Sequence, residues 1–338
     1  MKMEKIRIGV MCPSEIAFRR FMPALKKIVD FEYIGLAAAT EQEFSGTGSD
    51  QVKPSELEKA KAFISVHGGK IFEGYDALIR SDEVDAIYLP LPPALHYKWG
   101  KKVLENSKHL LMEKPFTTSS TETTELLSLA EEKGLAVHEN YMFLYHSQLG
   151  KIKELIADGT LGELRLIRAS FGFPMRGKDD FRYKKAMGGG ALLDCGGYPV
   201  RLALELLGDT AQVTQSRLVQ PEGHEVDLYG NAVLENADGL CAQISFGMDN
   251  AYQCQLEVWG SKAILIVPRV FTAPAGFDAD LEVKENQEVS QHFSISDNSF
   301  KNSLLMFKDS ILKENDRKGK MIAIQIQSDL IEKIAIGG

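Results

Sequence analysis

The sequence predicts an α/β protein in which an N-terminal doubly wound parallel sheet is followed by a C-terminal α+β domain built on a mostly antiparallel, open sheet. Three observations predict it. Apolar strands alternate with helix-patterned segments up to about residue 140, strand-like runs follow one another after about residue 150, and 338 residues exceed what one hydrophobic core usually organises. Two domains are expected, 1–140 and 141–338, with a C-terminal helix able to return to the first.

In the first half, Ile6 to Met11 is a short buried strand, Ile16 to Ile28 has helical apolar spacing, and Phe31 to Ala38 is a second strand. A second cycle runs through a helix at Leu57 to His67, a strand at Lys70 to Ile71, a helix at Tyr75 to Arg80 and a strand at Ala86 to Leu89. A third has helix His96 to Asn106, strand His109 to Met112, helix Thr121 to Glu132 and strand Ala136 to His138. Between Thr40 and Pro54 the chain is polar and carries Gly46 and Gly48, which predicts a surface loop.

In the second half a helix is expected at Gln148 to Asp158 and another after Asp194. Strands are expected at Leu164 to Phe173, Gln212 to Val219, Glu225 to Glu235, Leu240 to Met248, Gln253 to Trp259 and Ala263 to Pro268, from alternation or β-branched enrichment. An amphipathic helix, Gln325 to Ile334, closes the chain.

The composition excludes several classes of function. Hydrophobic residues make up 44% and charged residues 25%, as in globular proteins. The net charge of −8 is spread without a basic block, so neither nucleic acid nor an anionic membrane is an expected partner. Cys12, Cys195, Cys241 and Cys254 are widely separated, which suggests no metal site and no disulfide framework. The N-terminus lacks a signal-peptide pattern, and no apolar stretch approaches the roughly 18 residues of a membrane span. A cytoplasmic protein with a small-molecule partner is expected.

The first strand–helix turn is where a dinucleotide pyrophosphate would rest on a helix N-terminus, usually with GxGxxG. Here it is Cys12-Pro13-Ser14-Glu15-Ile16-Ala17, with small residues at all three glycine positions. Cys12 and Ser14 still permit a close backbone approach, and Ala17 is an accepted third position; an ordinary strand–turn–helix is the competing reading. The second strand ends Ala37-Ala38-Ala39-Thr40 with no carboxylate until Glu41, and the first helix carries Arg19 and Arg20. Since an acidic residue at that strand end selects NAD and an arginine accommodates the extra phosphate of NADP, NADP(H) is favoured, with NAD(H) as the alternative. Solvated surface charge is the other reading of both arginines.

Met112-Glu113-Lys114-Pro115 follows an apolar strand, so Lys114 falls where ligands of open α/β sheets bind, and a proline there can lock a cis peptide. Gly188-Gly189-Gly190 leads into Ala191-Leu192-Leu193-Asp194-Cys195-Gly196-Gly197-Tyr198-Pro199. A helix opened by Pro199 would run to Leu207 and Gly208 and leave Tyr198 at its positive end. A phenol there, beside a lysine ammonium, is a better acid; a core tyrosine with a satisfied hydroxyl is the alternative.

Together these segments resemble the Gfo/Idh/MocA oxidoreductase family. The resemblance covers Ile6 to Leu25, Tyr75 to Thr117, His138 to Gln148 and Phe171 to Gly208, and its most specific parts are Leu89-Pro90-Leu91-Pro92 through His96, Glu113-Lys114-Pro115 and Gly188 to Asp194. Glu139-Asn140-Tyr141-Met142-Phe143-Leu144 and Asp179-Asp180-Phe181-Arg182-Tyr183 are most similar to its nucleotide-diphosphosugar 3-ketoreductase branch. Pro13-Ser14 and the glycine-containing loop after Thr40 depart from the pattern.

The resemblance implies an N-terminal Rossmann domain that holds the cofactor with Cys12, Pro13, Ser14, Glu15, Ile16, Arg19, Arg20, Thr40, Leu91, Pro92, His96, Glu113, Lys114 and Asn140. It implies hydride transfer to a keto group of a nucleotide-linked deoxysugar. Tyr198 is then the general acid, Lys114 its electrostatic partner, and Asp194 an orienting group, with Arg182, Tyr183, Asp194 and Tyr198 meeting the substrate. A homo-oligomer, dimer or tetramer, is implied as well. The rival readings are a sugar or dihydrodiol dehydrogenase with the same machinery and a sugar-binding or regulatory protein without catalysis.

Overall fold

The computed structural model describes residues 5–44, 53–177, 179–314 and 317–337. The chain divides into two compact units, Met1–Asn140 with Ser303–Ile324, and Tyr141–Asn302 with Gln325–Gly338.

The first unit is built on a six-stranded parallel sheet with strands β1 (Ile6–Val10), β2 (Phe31–Ala38), β3 (Lys70–Glu73), β4 (Ala86–Leu89), β5 (His109–Met112) and β6 (Val137–Glu139), in the order β3-β2-β1-β4-β5-β6. The expected alternation of strand and helix is present. The two halves of the sheet wind outward from β1 and β4, which pair in register Ile8 with Ala86 through Val10 with Tyr88. Strands buried on both faces need continuous apolar runs, and β4 is buried at every position. Trp99, Val103 and Leu104 from the helix His96–Glu105, with Leu126 and Ala130 from the helix Ser120–Glu132, join Ile87, Leu110 and Met112 in this core.

Most of the Thr40 to Pro54 segment, where a loop was expected, lies outside the described residues; its near flank, Glu41–Phe44, forms one helical turn, and a helix spans Lys53–His67.

The second unit carries an eight-stranded sheet of β7 (Leu164–Gly172), β8 (Gln212–Val219), β9 (Tyr229–Glu235), β10 (Cys241–Gly247), β11 (Gln253–Gly260), β12 (Ile264–Val267), β13 (Asp278–Glu285) and β14 (Glu288–Ser296), in the order β14-β13-β12-β11-β7-β10-β9-β8. Its pairs are antiparallel except β7 with β10, which run parallel from Leu166 beside Cys241 to Gly172 beside Gly247. The helices Ser147–Ala157 and Gly197–Leu207 bury their apolar residues with one face of the sheet, where Ile167, Ala169, Ile244 and Leu256 alternate inward.

The hairpin β13–β14 and the helix Ser299–Leu312 are elements the sequence reading did not expect. β14 is exposed at most positions, so burial imposes little pattern on its sequence, and the turn is made by Asn286 and Gln287 at φ 47 and 71° without the usual glycine. The last helix is longer than expected, Arg317–Ile336. Among the described residues no helix is long and apolar enough to cross a membrane.

Candidate active site

In the first unit the predicted residues collect at the carboxyl ends of β1, β4, β5 and β6. β1 leads into Met11 and Cys12, whose Sγ donates to the carbonyl of Pro90, 3.4 Å away, just past the end of β4. These two strands are the sheet's switch point, where open α/β sheets bind ligands. Ser14 Oγ accepts the Ala17 N–H at 3.2 Å and caps the first helix, and Ala17 is fully buried. The N–H groups of Glu15 and Ile16 thus stand in the turn that a helix leaves without internal acceptors, and a pyrophosphate suits it. Burial pushes the Cys12 thiol up to about 12, so it packs as an apolar group and is no nucleophile. This donor set fits a dinucleotide even without the glycines.

Beyond β4, His96 is fully buried and its two ring nitrogens each lie 2.7 Å from a main-chain carbonyl, Leu91 on one side and Pro115 on the other. Burial pushes its pKa down to about 4, against the pull of both carbonyls. Its ring ties the β4 loop to the β5 loop. The peptide between Lys114 and Pro115 is cis.

Under Lys114 lies a polar chain. Glu113 Oε1 accepts from the Tyr88 hydroxyl at 2.6 Å and from the Asn140 amide at 2.7 Å; Asn140 Oδ1 accepts from Ser303 at 2.8 Å, and Ser303 meets His138 Nε2 at 2.9 Å. Burial raises the Glu113 pKa, while these donors and the Lys114 charge oppose the rise. Glu139, next along β6, accepts the Phe116 N–H at 2.7 Å and fixes the chain after Pro115. The strand ends and their buried carboxylates therefore set where Lys114 starts.

In the second unit, helical turns from Leu192 to Gly196 widen to the π form and run on into Gly197–Leu207. This corrects the expected helix start at Pro199: the helix begins about two turns earlier, so Tyr198 sits within it and not at its positive end. The widened turn accommodates a proline that lacks the ladder donor. The helix terminus therefore does not stabilise a phenolate at Tyr198.

Tyr198 is 7% exposed. Its ring lies 5.2 Å from Tyr141 and 4.9 Å from Phe171, both edge-on, with Phe143 and Phe271 each at 5.9 Å. Its hydroxyl is 4.0 Å from Met142 Sδ. Gly197 must be glycine because an added Cβ would lie 2.0 Å from the Tyr141 hydroxyl.

Four residues before Tyr198, Asp194 Oδ2 accepts from Arg182 Nε at 2.8 Å, and Arg182 Nη1 reaches Asp180 at 3.1 Å. Burial opposes the guanidinium's charge, but these two carboxylates outweigh it and hold it more firmly charged.

Comparison with known proteins supplies the family. Residues 36–141 match the description "Oxidoreductase family, NAD-binding Rossmann fold", and residues 149–266 match "GFO/IDH/MocA C-terminal domain". The chain is 34% identical over 333 residues, 98% of its length and 95% of the relative's, to a dTDP-3,4-didehydro-2,6-dideoxy-alpha-D-glucose 3-reductase of Actinomadura kijaniata. The chain belongs to the GFO/IDH/MocA oxidoreductase family.

Other GFO/IDH/MocA relatives agree. A reductase of the same description from Streptomyces violaceoruber is 39% identical over 280 residues, covering 82% of this chain and 77% of the relative. The crystal structure of KijD10, a 3-ketoreductase from Actinomadura kijaniata in complex with NADP and TDP-benzene, superposes with a TM-score of 0.90 at 34% identity, covering 99% of this chain and 98% of that one. The match to the NAD-binding description begins at residue 36, past the first turn, the stretch where this GFO/IDH/MocA chain lacks the usual glycines.

The structure brings Cys12, Ser14, Leu91, His96, Glu113, Lys114 and Asn140 to one end of the first sheet, and joins Arg182 to Asp194 on the helix of Tyr198. Pro13, Glu15, Ile16 and Pro92 share those turns, and Thr40 follows the carboxyl end of β2, while several of the predicted side chains are engaged elsewhere. Arg19 pairs with Glu15 on the exposed helix face at 2.7 Å, and Arg20 is exposed. Thr40 is held through its N–H and hydroxyl by Glu43, whose other oxygen accepts the Asp76 N–H at 3.0 Å. Tyr183 is buried, and its hydroxyl accepts the Arg176 N–H at 2.8 Å.

Three residues of this family member escaped the sequence reading. Glu43 brings a carboxylate to the end of β2, and Ser303 joins the Glu113 chain from a helix that was not expected. Asp227 clamps the start of the Tyr198 helix from just before β9. No local pattern marks Ser303 or Asp227, because each acts across a long sequence separation, whereas Glu43 reaches Thr40 from three positions along the chain.

Proposed function

We propose that this chain reduces a keto group of a nucleotide-linked deoxysugar, with NADPH as the preferred reductant, Tyr198 as proton donor and Lys114 as the charge that favours the developing oxyanion. The relationship to a dTDP-didehydro-dideoxyglucose 3-reductase over 98% of the chain carries this reading. The NADP held by KijD10, at 34% identity, supports the cofactor.

When bound, the reduced nicotinamide supplies the hydride. The protein's own residues do the rest. Tyr198 gives its hydroxyl proton to the carbonyl oxygen as negative charge grows there, and its walls of Tyr141, Phe143, Phe171 and Phe271 keep water from competing for that proton. Lys114 starts from a strand end where Glu113 is held by Tyr88 and Asn140, and a charge held in place ahead of the reaction is what makes electrostatic stabilisation effective. Asp194, steadied by Arg182 at 2.8 Å, orients sugar hydroxyls. By the same resemblance the working form is a homo-oligomer, dimer or tetramer, which sedimentation of the purified protein measures.

The test is steady-state NADPH oxidation with a dTDP-linked 3-keto-deoxysugar and with the same sugar free. A nucleotide diphosphate offers binding energy remote from the carbonyl, which can be used to position it. The linked form is expected to have the far higher kcat/KM. Equal efficiency, or faster oxidation of a simple sugar or dihydrodiol, overturns the substrate assignment in favour of a general dehydrogenase.

A further inference from the structure

In the second unit, the segment after β12 has two sides. Phe271 is 1% exposed and its ring faces Tyr198 at 5.9 Å, Phe143 at 5.1 Å and Phe171 at 5.4 Å. Two residues earlier, the Arg269 guanidinium lies over two exposed rings, 5.7 Å from Tyr252 and 4.9 Å from Phe277. Those rings are 47% and 37% exposed, among the most exposed aromatic groups described.

The arrangement is held from beneath. Gln148 donates its amide to the carbonyls of Val270 at 3.0 Å and Arg269 at 3.4 Å, the Val270 N–H bonds to Cys254 at 2.9 Å, and the Tyr252 hydroxyl meets Thr272 Oγ1 at 2.6 Å. Arg269 donates through Nε to the Thr272 carbonyl at 3.4 Å, and no carboxylate among the described residues comes within 4.0 Å of its nitrogens. In a chain of net charge −8, a fixed guanidinium between two exposed rings and without an acidic partner among the described residues is a specific feature.

We propose that Tyr252, Arg269 and Phe277 form the subsite for the nucleoside diphosphate of the substrate, Arg269 binding the diphosphate and an aromatic ring stacking on the base. This rests on the nucleotide-sugar reading above. The chemistry matches at both ends: a guanidinium donates two parallel hydrogen bonds to phosphate oxygens, and exposed aromatic faces stack bases of any sequence. The placement matches too. The turn that carries Arg269 also carries Phe271, whose ring meets Tyr198 at 5.9 Å, so a sugar near Tyr198 extends its diphosphate toward Arg269. Arg182, which the resemblance places at the substrate, already spends Nε and Nη1 on Asp194 and Asp180. It belongs with the sugar.

The experiment titrates dTDP into the full-length protein by calorimetry, with NADPH titrated separately. The intact protein is expected to bind dTDP, Arg269→Gln to weaken it at least tenfold, and Tyr252→Leu several-fold, with the NADPH Kd unchanged in both. Should Arg269→Gln fail to fold, Phe277→Leu with Tyr252→Leu keeps the test intact, since both remove exposed rings. If the intact protein binds dTDP and the folded variants bind it equally well, the subsite is overturned while the nucleotide-sugar reading stands. If the intact protein does not bind dTDP, the nucleotide-sugar reading fails and the subsite with it.

Discussion

Asp227 grips Leu192: its Oδ2 accepts the Leu192 N–H at 2.8 Å, while its own carbonyl accepts the Ala191 N–H at 2.9 Å. Gly190, at φ 119°, passes so close that an added Cβ would stand 2.4 Å from Asp227 Oδ1. Asp227 thereby satisfies donors that a helix leaves open and fixes the start of the helix carrying Asp194 and Tyr198. Burial raises its pKa, and the Leu192 N–H opposes the rise. Asp227→Ala is expected to cost about 1–2 kcal/mol of stability, as other lost caps do, and to lower kcat with little change in NADPH affinity. Asp227→Asn, which keeps an acceptor oxygen, is expected to recover much of both. Thermal unfolding with steady-state kinetics of the pair checks this, and unchanged kcat in a folded Asp227→Ala protein would remove Asp227 from the positioning of Tyr198.

Tyr198→Phe keeps the ring among Tyr141, Phe143, Phe171 and Phe271 and removes only the hydroxyl that carries the proton. Turnover is expected to fall by about two to four orders of magnitude, the span of a lost general acid, with cofactor binding unchanged. Lys114→Ala is expected to be comparably impaired. If both serve one step, the double variant is little worse than the worse single one; multiplicative losses in single-turnover rates would mean independent roles.

NADPH is expected to bind more tightly than NADH. The Glu43 side chain, which turns onto Thr40, is engaged by main-chain N–H groups of Thr40 and Asp76 at 2.8 and 3.0 Å. The Arg19–Glu15 pair is exposed, and such pairs are worth about 0–1 kcal/mol, so Arg19 is easily released to a phosphate. Neutralising Arg19 and Arg20 together narrows the gap between the two affinities; fluorescence titration giving equal affinities in the unaltered protein sinks the preference.

Burial, aided by the nearby Arg317 charge, holds the His109 pKa down to about 4, and His109 Nδ1 accepts the Ala136 N–H at 3.0 Å, a bond that protonation breaks. The unfolded chain binds this proton near pH 6.5 and the native protein only near 4, so the unfolded state holds more protons between these values and stability rises with pH across that window. Stability is expected to be full above pH 6.5 and to fall as pH drops toward 4, by up to about 2 kcal/mol for this group after allowing for its partial exposure. His109→Gln, which retains an acceptor, flattens the slope in urea unfolding followed at pH 4.5 to 7. An unchanged slope would mean that other groups carry it.

Most of the first unit was legible in the sequence because its strands are short apolar runs separated by helical periodicity, and Lys114, Glu113 and Asn140 follow strand ends by simple adjacency. Burial on both faces leaves such strands no sequence freedom. The motif around Tyr198 was legible for the same local reason, glycines and a proline within one turn of each other. What adjacency does not encode was decided by tertiary structure. The start of the Tyr198 helix moved from Pro199 back to Leu192 because Asp227, 35 positions further along the chain, supplies the cap. Arg182 became a partner of Asp194 because a loop folds back onto the helix, and Ser303 completes the Glu113 chain from a helix whose own pattern gave no sign of it. β14, exposed at most positions, left no pattern at all, since only burial writes periodicity into a strand.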